Sequence, residues 1–210
     1  MPDPRHLTPF LEWPPQLELV LASRSPRRAE LLEIAGIPFQ VTPPGPVEEG
    51  LAATLTDLHA DPAAYARKLA EAKARDVADD LPGRLVLGAD TVVVLEGDLL
   101  EKPRDEDEAV RLLTRLAGRR HTVISAVALV GGASPAGGVI AHEETEVEFL
   151  PLDRDAIIRY VATGEPMDKA GAYGIQGYGA MMVRRVEGCY FNVMGLPLAR
   201  LGELLKEVLT

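Results

Sequence analysis

Cysteine, histidine and long apolar runs are scarce in this 210-residue chain, and each shortage excludes a class of protein. The single cysteine, Cys189, excludes a disulfide within the chain and suits a reducing compartment. The four histidines are scattered, so no Cys/His metal motif is present. No apolar run approaches the ~20 residues of a membrane span, and the N-terminus has no secretory signal pattern. We therefore expect a cytoplasmic protein that does not contact membranes.

Positive charge is also in the minority. Lysine and arginine total 22 against 32 aspartates and glutamates, which gives a formal net charge of −10. This balance argues against a nucleic-acid-binding protein, but it is compatible with a small basic pocket. A hydrophobic content of 47% indicates a globular protein, and 210 residues suffice for one α/β domain with a sizeable core.

Apolar periodicity predicts alternating strands and helices, with some strands joined as hairpins, as in an α/β protein with a mixed sheet. Glu96–Asp98 and Glu187–Gly188 have the composition of hairpin turns. Five prolines exclude regular structure from residues 1–16, which we interpret as an N-terminal extension. The predicted strands are 17–22, 38–42, 84–95, 121–130, 139–149, 181–186 and 189–194, and the predicted helices are 26–35, 62–79, 106–116, 154–162 and 197–209.

Two arginines follow the first strand in an unusual place. Ser25 suits a helix N-cap and Pro26 suits the first helical position, so Arg27 and Arg28 lie in the first turn. The helix dipole is positive at this end and disfavours cations there, unless an anion binds. The segment is therefore either a phosphate-binding turn or an exposed helix start with two solvated arginines.

An acid and a lysine interrupt two apolar patterns. Asp90 lies inside a run, 85–95, that is apolar on both faces, so it either opens onto a cleft or is a structural, paired carboxylate. Lys73 falls on the inward stripe of the helix 62–79 and either extends outward to solvent or reaches the cleft. Lys102 precedes Pro103, which fixes the local direction of the chain.

The segment 168–179 contains four glycines and begins with Asp168 and Lys169. Glycines permit positive φ and can expose backbone N–H groups to a ligand. We interpret the segment as one wall of a binding site. A cleft with several cations and a few carboxylates suits a polyphosphate with a hard, oxygen-liganded ion such as Mg²⁺ or Mn²⁺. Covalent catalysis is less favoured, because no nucleophile-elbow motif is present and Cys189 lies in a strand-like run.

Five ordered segments of the chain resemble motifs of the Maf family of nucleoside triphosphate pyrophosphatases. They are LASRSPRR at 21–28, GADT at 88–91, EKP at 101–103, DKAGAYGIQG at 168–177 and VMGLP at 193–197. The resemblance covers about residues 17–209 and leaves residues 1–16 outside a Maf-like domain, 17–210. It implies an inosine-triphosphatase-like α/β fold, in which helices flank a mixed sheet and two lobes surround a central cleft.

The resemblance also implies an activity, namely hydrolysis of a nucleoside triphosphate to the monophosphate and pyrophosphate. Asp90 matches the family's proton acceptor. Asp90 and Glu49 also match the acids on the side of the metal ion, Mg²⁺ or Mn²⁺, and Glu49 is adjacent to a second glutamate, Glu48. The positions that match substrate-binding residues of the family are Ser23, Arg27, Arg28, Lys73, Thr91, Lys102, Lys169 and Gln176, and Asp168 joins them as the acid that begins the glycine-rich motif.

The GADT and GIQG forms resemble the branch of the family that acts on dTTP and UTP, and differ from the branch that acts on 7-methyl-GTP. The family suggests a homodimer. It is also associated with arrest of septum formation, which leaves a second hypothesis: a nucleotide-bound regulator that acts on a division protein. An acid within the strand favours the enzyme, because a protein that only binds polyanions would gain from a neutral residue there.

Overall fold

The computed structural model describes residues 8–52, 55, 60–132, 134–135 and 137–209, without the side chains of 48, 49 and 52. No helix in this part of the chain is long and apolar enough to cross a lipid bilayer. The strands are β1 (Leu19–Ala22), β2 (Phe39–Val41), β3 (Leu85–Leu95), β4 (Asp98–Leu100), β5 (Arg120–Gly131), β6 (Val139–Phe149) and β7 (Val183–Glu187). The helices are α1 (Pro26–Ile34), α2 (Val47–Ala52), α3 (Pro62–Ala78), α4 (Glu106–Leu116), α5 (Arg154–Val161), α6 (Tyr190–Val193) and α7 (Leu198–Leu209).

The seven described strands form one mixed sheet in the order β2-β1-β3-β5-β6-β7, and β4 pairs with β3. β1 runs parallel to β2 and β3, whereas the pairs from β3 through β5 and β6 to β7 are antiparallel. The expected mixed α/β class is therefore confirmed. Nothing in the pattern of α2 predicted a helix, since it follows three prolines within four residues.

One edge of β3 is interrupted. β5 pairs with β3 over residues 85–94 on one side. On the other side, β1 pairs with residues 85–88 and β4 with residues 93–95. Among the described strands, none pairs with that side at residues 89–92, so the sheet has a gap there. Asp90 and Thr91 lie in the gap, and it is this opening that allows a buried strand to carry an acid.

Helix α3 crosses the sheet unusually close to β3. A Cβ atom at Gly88 would overlap the carbonyl oxygen of Ala70 and would lie 2.7 Å from the backbone nitrogen of Ala74. Only glycine permits this approach. Because residues alternate between the faces of a strand, Asp90 shares the face of Gly88 and points toward α3.

Two apolar clusters lie on either side of the gap. One contains β1, α1, α7 and the first residues of β3, such as Leu85 and Leu87. The other contains α4, α5 and the last residues of β3, such as Val93 and Leu95. They correspond to the two expected lobes, and the gap lies between them. A third cluster, built on α3, covers the opposite face of the sheet.

The strand predicted at 189–194 is wrong. Residues 190–193 form α6, and Cys189 is its N-cap rather than part of a strand. The predicted hairpin at Glu187–Gly188 is therefore absent. Gly188 has φ +128, and the chain turns there into the helix. The β-type composition of the segment is overridden by tertiary contacts, since the buried Asn192 side chain bonds directly to β5.

The described part of the N-terminal extension, residues 8–16, has no helix or strand. Leu11 and Trp13 pack against the cluster around β1, whereas Phe10 is 80% exposed. The indole N–H of Trp13 donates to the carbonyl oxygen of Leu17 at 3.2 Å. The expectation that prolines exclude regular structure holds for these residues.

Candidate active site

A cavity of about 350 Å³ opens at the gap in β3. Its walls come from the turn after β1, the start of α1, one face of α3, the end of β4, the glycine-rich segment and the residues after α6. Ten residues singled out in the sequence line this cavity together: Ser23, Arg27, Arg28, Lys73, Asp90, Thr91, Lys102, Asp168, Lys169 and Gln176. The structure thus brings them to one place, and their roles remain predictions. Glu49 belongs to α2, but its side chain lies outside the described residues.

Asp90 and Lys73 form a buried ion pair. The Lys73 ammonium donates to Asp90 Oδ1 at 2.6 Å, and the two residues are only 7% and 6% exposed. Of the two alternatives for Lys73, the structure shows the second, in which it reaches the cleft. Oδ2 of Asp90 has no hydrogen-bond partner among the described residues, so one carboxylate oxygen remains for a ligand.

Arg28 is held by three neutral acceptors. Its Nε donates to the carbonyl oxygen of Gly195 at 2.9 Å, and its two terminal nitrogens donate to Ser23 Oγ and Thr91 Oγ1, each at 3.2 Å. The Arg28 guanidinium is therefore not a solvated helix start. It is fixed at the cavity wall at the N-terminus of α1, where the helix dipole adds positive potential. Ser25 is the N-cap residue as expected, although its side chain makes no capping bond.

Asp168 links two further cations. It accepts from Lys169 Nζ at 2.6 Å and from Arg27 at 3.4 Å. Burial alone would raise the pKa of Asp168, but the hydrogen bond from Lys169 and the charge of Arg27 hold that pKa below its ordinary value. Asp168 is thus ionised at neutral pH and acts between the two cations as a bridge that a polyphosphate could replace.

The glycine-rich segment is fixed by two residues that sequence reasoning missed, Glu165 and Tyr160. Glu165 accepts the backbone N–H groups of Tyr178 and Gly179, at 2.9 and 3.1 Å. The Tyr160 hydroxyl donates to Glu165 at 2.9 Å and accepts from Gly174 N–H at 3.2 Å. Burial would raise the pKa of Glu165, but these backbone N–H groups keep it low.

The expectation that the glycines expose N–H groups to a ligand is therefore wrong for three of the four. Gly174 and Gly179 donate within the fold as described, and Gly171 donates to the carbonyl oxygen of Glu101 at 3.2 Å. The glycines serve instead for close approach. A Cβ at Gly179 would overlap the carbonyl oxygen of Gly174, and a Cβ at Gly177 would overlap the Glu165 carboxylate. The segment is a closely packed wall rather than a backbone cradle.

Lys102 and Gln176 line the cavity from two different segments of the chain. Lys102 follows β4, and the preceding residue, Glu101, accepts the hydroxyl of the buried Tyr65 of α3 at 2.8 Å. This bond, together with the buried Pro103, fixes the path of the chain at Lys102. Gln176 is the residue before the last 3₁₀ turn, Gly177–Met182, and is partly exposed.

Tyr173 lines the cavity and pairs with His121, which does not line it. His121 Nε2 lies 2.8 Å from the Tyr173 hydroxyl, and both rings stack edge-to-face with Phe149. Burial lowers the pKa of His121 to about 4, so this histidine is neutral at physiological pH. His121 thus supports the wall and carries no charge into the site.

A divalent metal ion fits the described residues in one way. They contain no group of three or more His, Cys, Asp or Glu side chains that could hold an ion by themselves. Mg²⁺ is commonly bound by one or two carboxylates together with substrate phosphates and water. The buried Asp90 carboxylate, with Oδ2 available, suits this mode. The basic residues around it suit the substrate phosphates that would share the ion.

Comparison with known proteins identifies the family. A model of the Maf family, described as "Maf-like protein", matches residues 18–208. The chain belongs to the Maf family. The Maf motifs recognised in the sequence are those that meet at the cavity, and the match begins two residues after the proline-bearing extension.

Two relatives share about half of their aligned residues with the chain. A protein from Symbiobacterium thermophilum named "dTTP/UTP pyrophosphatase" is 51% identical over 191 residues, which is 90% of this chain and 93% of that protein. A protein of the same name from Moorella thermoacetica is 52% identical over 188 residues, again 90% and 93% of the two chains. Among solved structures, a HAM1 protein from Coxiella burnetii matches 91% of this chain and 99% of its own, with 19% identity and a TM-score of 0.48.

Proposed function

We propose that this protein is a nucleoside triphosphate pyrophosphatase that hydrolyses dTTP and UTP to the monophosphate and pyrophosphate. The observation that carries the proposal is the cavity at the gap in β3, where six basic residues line the walls together with one buried carboxylate. The names of relatives that are 51% and 52% identical support both the reaction and the bases. The regulatory alternative has no comparable support among the described residues.

In the proposed reaction, water attacks the α phosphorus, the bond to the α–β bridging oxygen breaks, and pyrophosphate leaves. Asp90 accepts the proton of the attacking water, a role for which Oδ2 is available. Arg28 and the lysines hold the phosphates and stabilise the negative charge that develops on the leaving pyrophosphate. When bound, Mg²⁺ or Mn²⁺ would supply Lewis-acid stabilisation of the phosphate oxygens, held by Asp90 and, as the resemblance implies, by Glu49.

We assign the choice of base to Gln176, with Arg27 and Thr91. Uracil and thymine present two carbonyl acceptors with one N–H donor between them, and a glutamine amide can complement an acceptor–donor pair. Gln176 is partly exposed, and the backbone on both sides of it is held by hydrogen bonds at Gly174, Tyr178 and Gly179. Binding a base there should therefore cost less entropy than ordering a free loop would. A site built for one hydrogen-bond pattern rejects other bases because buried groups stay unpaired.

The reaction is tested by measuring pyrophosphate release from dTTP, UTP, CTP, purine triphosphates and 7-methyl-GTP, with and without Mg²⁺ or Mn²⁺. We expect dTTP and UTP to be preferred, and activity to require the metal. Asp90→Asn should lower turnover by ~10²–10⁴-fold, as for loss of a general base. Asp80→Asn, at an exposed aspartate outside the cavity, is the matched control. Near-wild-type turnover of Asp90→Asn would remove Asp90 from the mechanism.

Base choice is tested by Gln176→Ala. We expect kcat/KM for dTTP to fall and the gap to other bases to narrow. An unchanged base ranking in this variant, or faster hydrolysis of 7-methyl-GTP than of dTTP by the wild type, would contradict the assignment. The homodimer and the cytoplasmic location stay predictions, which sedimentation of the purified protein and cell fractionation would check.

A further inference from the structure

Thr91 contacts more than Arg28, and its second contact leads away from the cavity. Thr91 Oγ1 lies 2.8 Å from Ser125 Oγ on the neighbouring strand β5. Ser125 in turn donates its hydroxyl proton to the backbone carbonyl oxygen of Asn192 in α6, at 2.8 Å. Neither Ser125 nor Asn192 lines the cavity, and both are fully buried.

The direction of every bond in this chain is fixed by chemistry. Arginine only donates, so Thr91 accepts from Arg28. A carbonyl oxygen only accepts, so the single proton of Ser125 goes to Asn192. The bond between the two hydroxyls can therefore be made only with the proton of Thr91. The order is Arg28 to Thr91, Thr91 to Ser125, and Ser125 to Asn192.

The side chain of Asn192 is held by three hydrogen bonds. Its Oδ1 accepts the backbone N–H of Ser125 at 2.9 Å, and its Nδ2 donates to the carbonyl oxygen of Val123 and to Thr145 Oγ1, both at 2.9 Å. Its amide is thus assigned without ambiguity. The same short segment also supplies the Gly195 carbonyl that accepts from Arg28 Nε. Arg28 is therefore anchored twice to the region of α6.

We infer that Ser125 and Asn192 are positioning residues, which hold Arg28 through Thr91 and keep the Thr91 hydroxyl proton turned away from the cavity. It follows that Thr91 can accept a hydrogen bond from a ligand but cannot donate one while this relay is intact. Thr91 then influences substrate choice in two ways, by placing Arg28 and by offering its own Oγ1 as an acceptor. The kinetic part of the test below depends on the proposed function.

The first measurement uses the ligand-free protein. Hydrogen exchange of the Arg28 Nε–H, followed by ¹⁵N NMR, reports how firmly the guanidinium is held. Ser125→Ala should speed this exchange by about tenfold, because the loss of one relay bond frees Thr91 to rotate. Ser134→Ala is the matched control, since its hydroxyl also donates to a backbone carbonyl but lies in the turn after β5.

The second measurement is a double-mutant cycle on triphosphate hydrolysis with Thr91→Val and Ser125→Ala. We expect each single variant to raise KM about tenfold with little change in kcat. The double variant should be no worse than Thr91→Val alone, because both act through the same bond. Thr91→Ser, which keeps the hydroxyl, should restore both the slow exchange and the KM.

Unchanged Arg28 exchange in Ser125→Ala, or KM effects that multiply in the double variant, would overturn the inference. If Ser125→Ala does not fold, the Thr91→Ser and Thr91→Val pair decides alone: equal Arg28 exchange in the two variants would overturn the relay. A wild-type protein that releases no pyrophosphate would overturn the proposed function, and the exchange measurement would still decide the relay.

Discussion

Replacing Lys73 by methionine should destabilise the fold, whereas replacing Lys73 and Asp90 together should not. At 2.6 Å and an effective dielectric constant of about 20, the attraction between the two charges is about 6 kcal/mol. Burying each ion costs several kcal/mol, so the intact pair contributes almost nothing to the free energy of unfolding. Lys73→Met alone leaves a buried carboxylate without its partner, which typically costs about 3–5 kcal/mol.

The assay is urea unfolding of Lys73→Met, Asp90→Asn and the double variant Lys73→Met/Asp90→Asn, each followed by circular dichroism. We expect the double variant to unfold within about 1 kcal/mol of the wild type or to be more stable. Both variants of Lys73 should nevertheless lose pyrophosphatase activity. Lys68→Met, at an exposed lysine of the same helix, is the control. If the double variant is as unstable as Lys73→Met, the pair stabilises the fold and the reasoning is refuted.

Two further predictions concern the support of the site. His121 is neutral in the fold with a pKa near 4, against about 6.5 unfolded, so its stabilising contribution is present above pH 6.5 and is lost as the pH falls toward 4. In urea unfolding, the free energy of unfolding of His121→Gln should therefore fall by about 3 kcal/mol less than that of the wild type between pH 7 and pH 4, and parallel curves for the two proteins would refute this. Gly88→Ala should cost more than about 3 kcal/mol, because the new methyl group meets backbone of α3. Gly202→Ala, in open space on α7, should cost nothing or stabilise, and equal midpoints would refute the close approach.

From the sequence, the position of the site could be predicted better than the contacts within it. An acid in a doubly apolar strand and a lysine on an apolar helical stripe each violate a local pattern, and Asp90 and Lys73 indeed meet. Their pairing could not be predicted, since it depends on the close approach at Gly88. Sequence reasoning also missed Tyr160 and Glu165, because a tyrosine and a glutamate near a helix end are ordinary in any chain.

The errors have a common physical cause. Residues 190–193 have the composition of a strand, but they form a helical turn in which Asn192 makes four hydrogen bonds to β5 and β6. The glycines after Lys169 suggested an open cradle, but glycine also permits backbone to pack against side chains, as at Gly177 and Glu165. The composition of a segment shows which conformations its residues permit, and contacts with residues distant in sequence determine which conformation forms.

The gap in β3 also has a length, and that length is set by where two strands stop. Four residues of β3 lie between the last partner of β1 and the first partner of β4, which at about 3.3 Å per residue is roughly 13 Å. Side-chain substitutions cannot alter this spacing, whereas adding or removing residues at the end of β1 or in the β3–β4 hairpin would. We therefore expect insertions and deletions at these two strand ends to change the size of the ligand that the chain accepts.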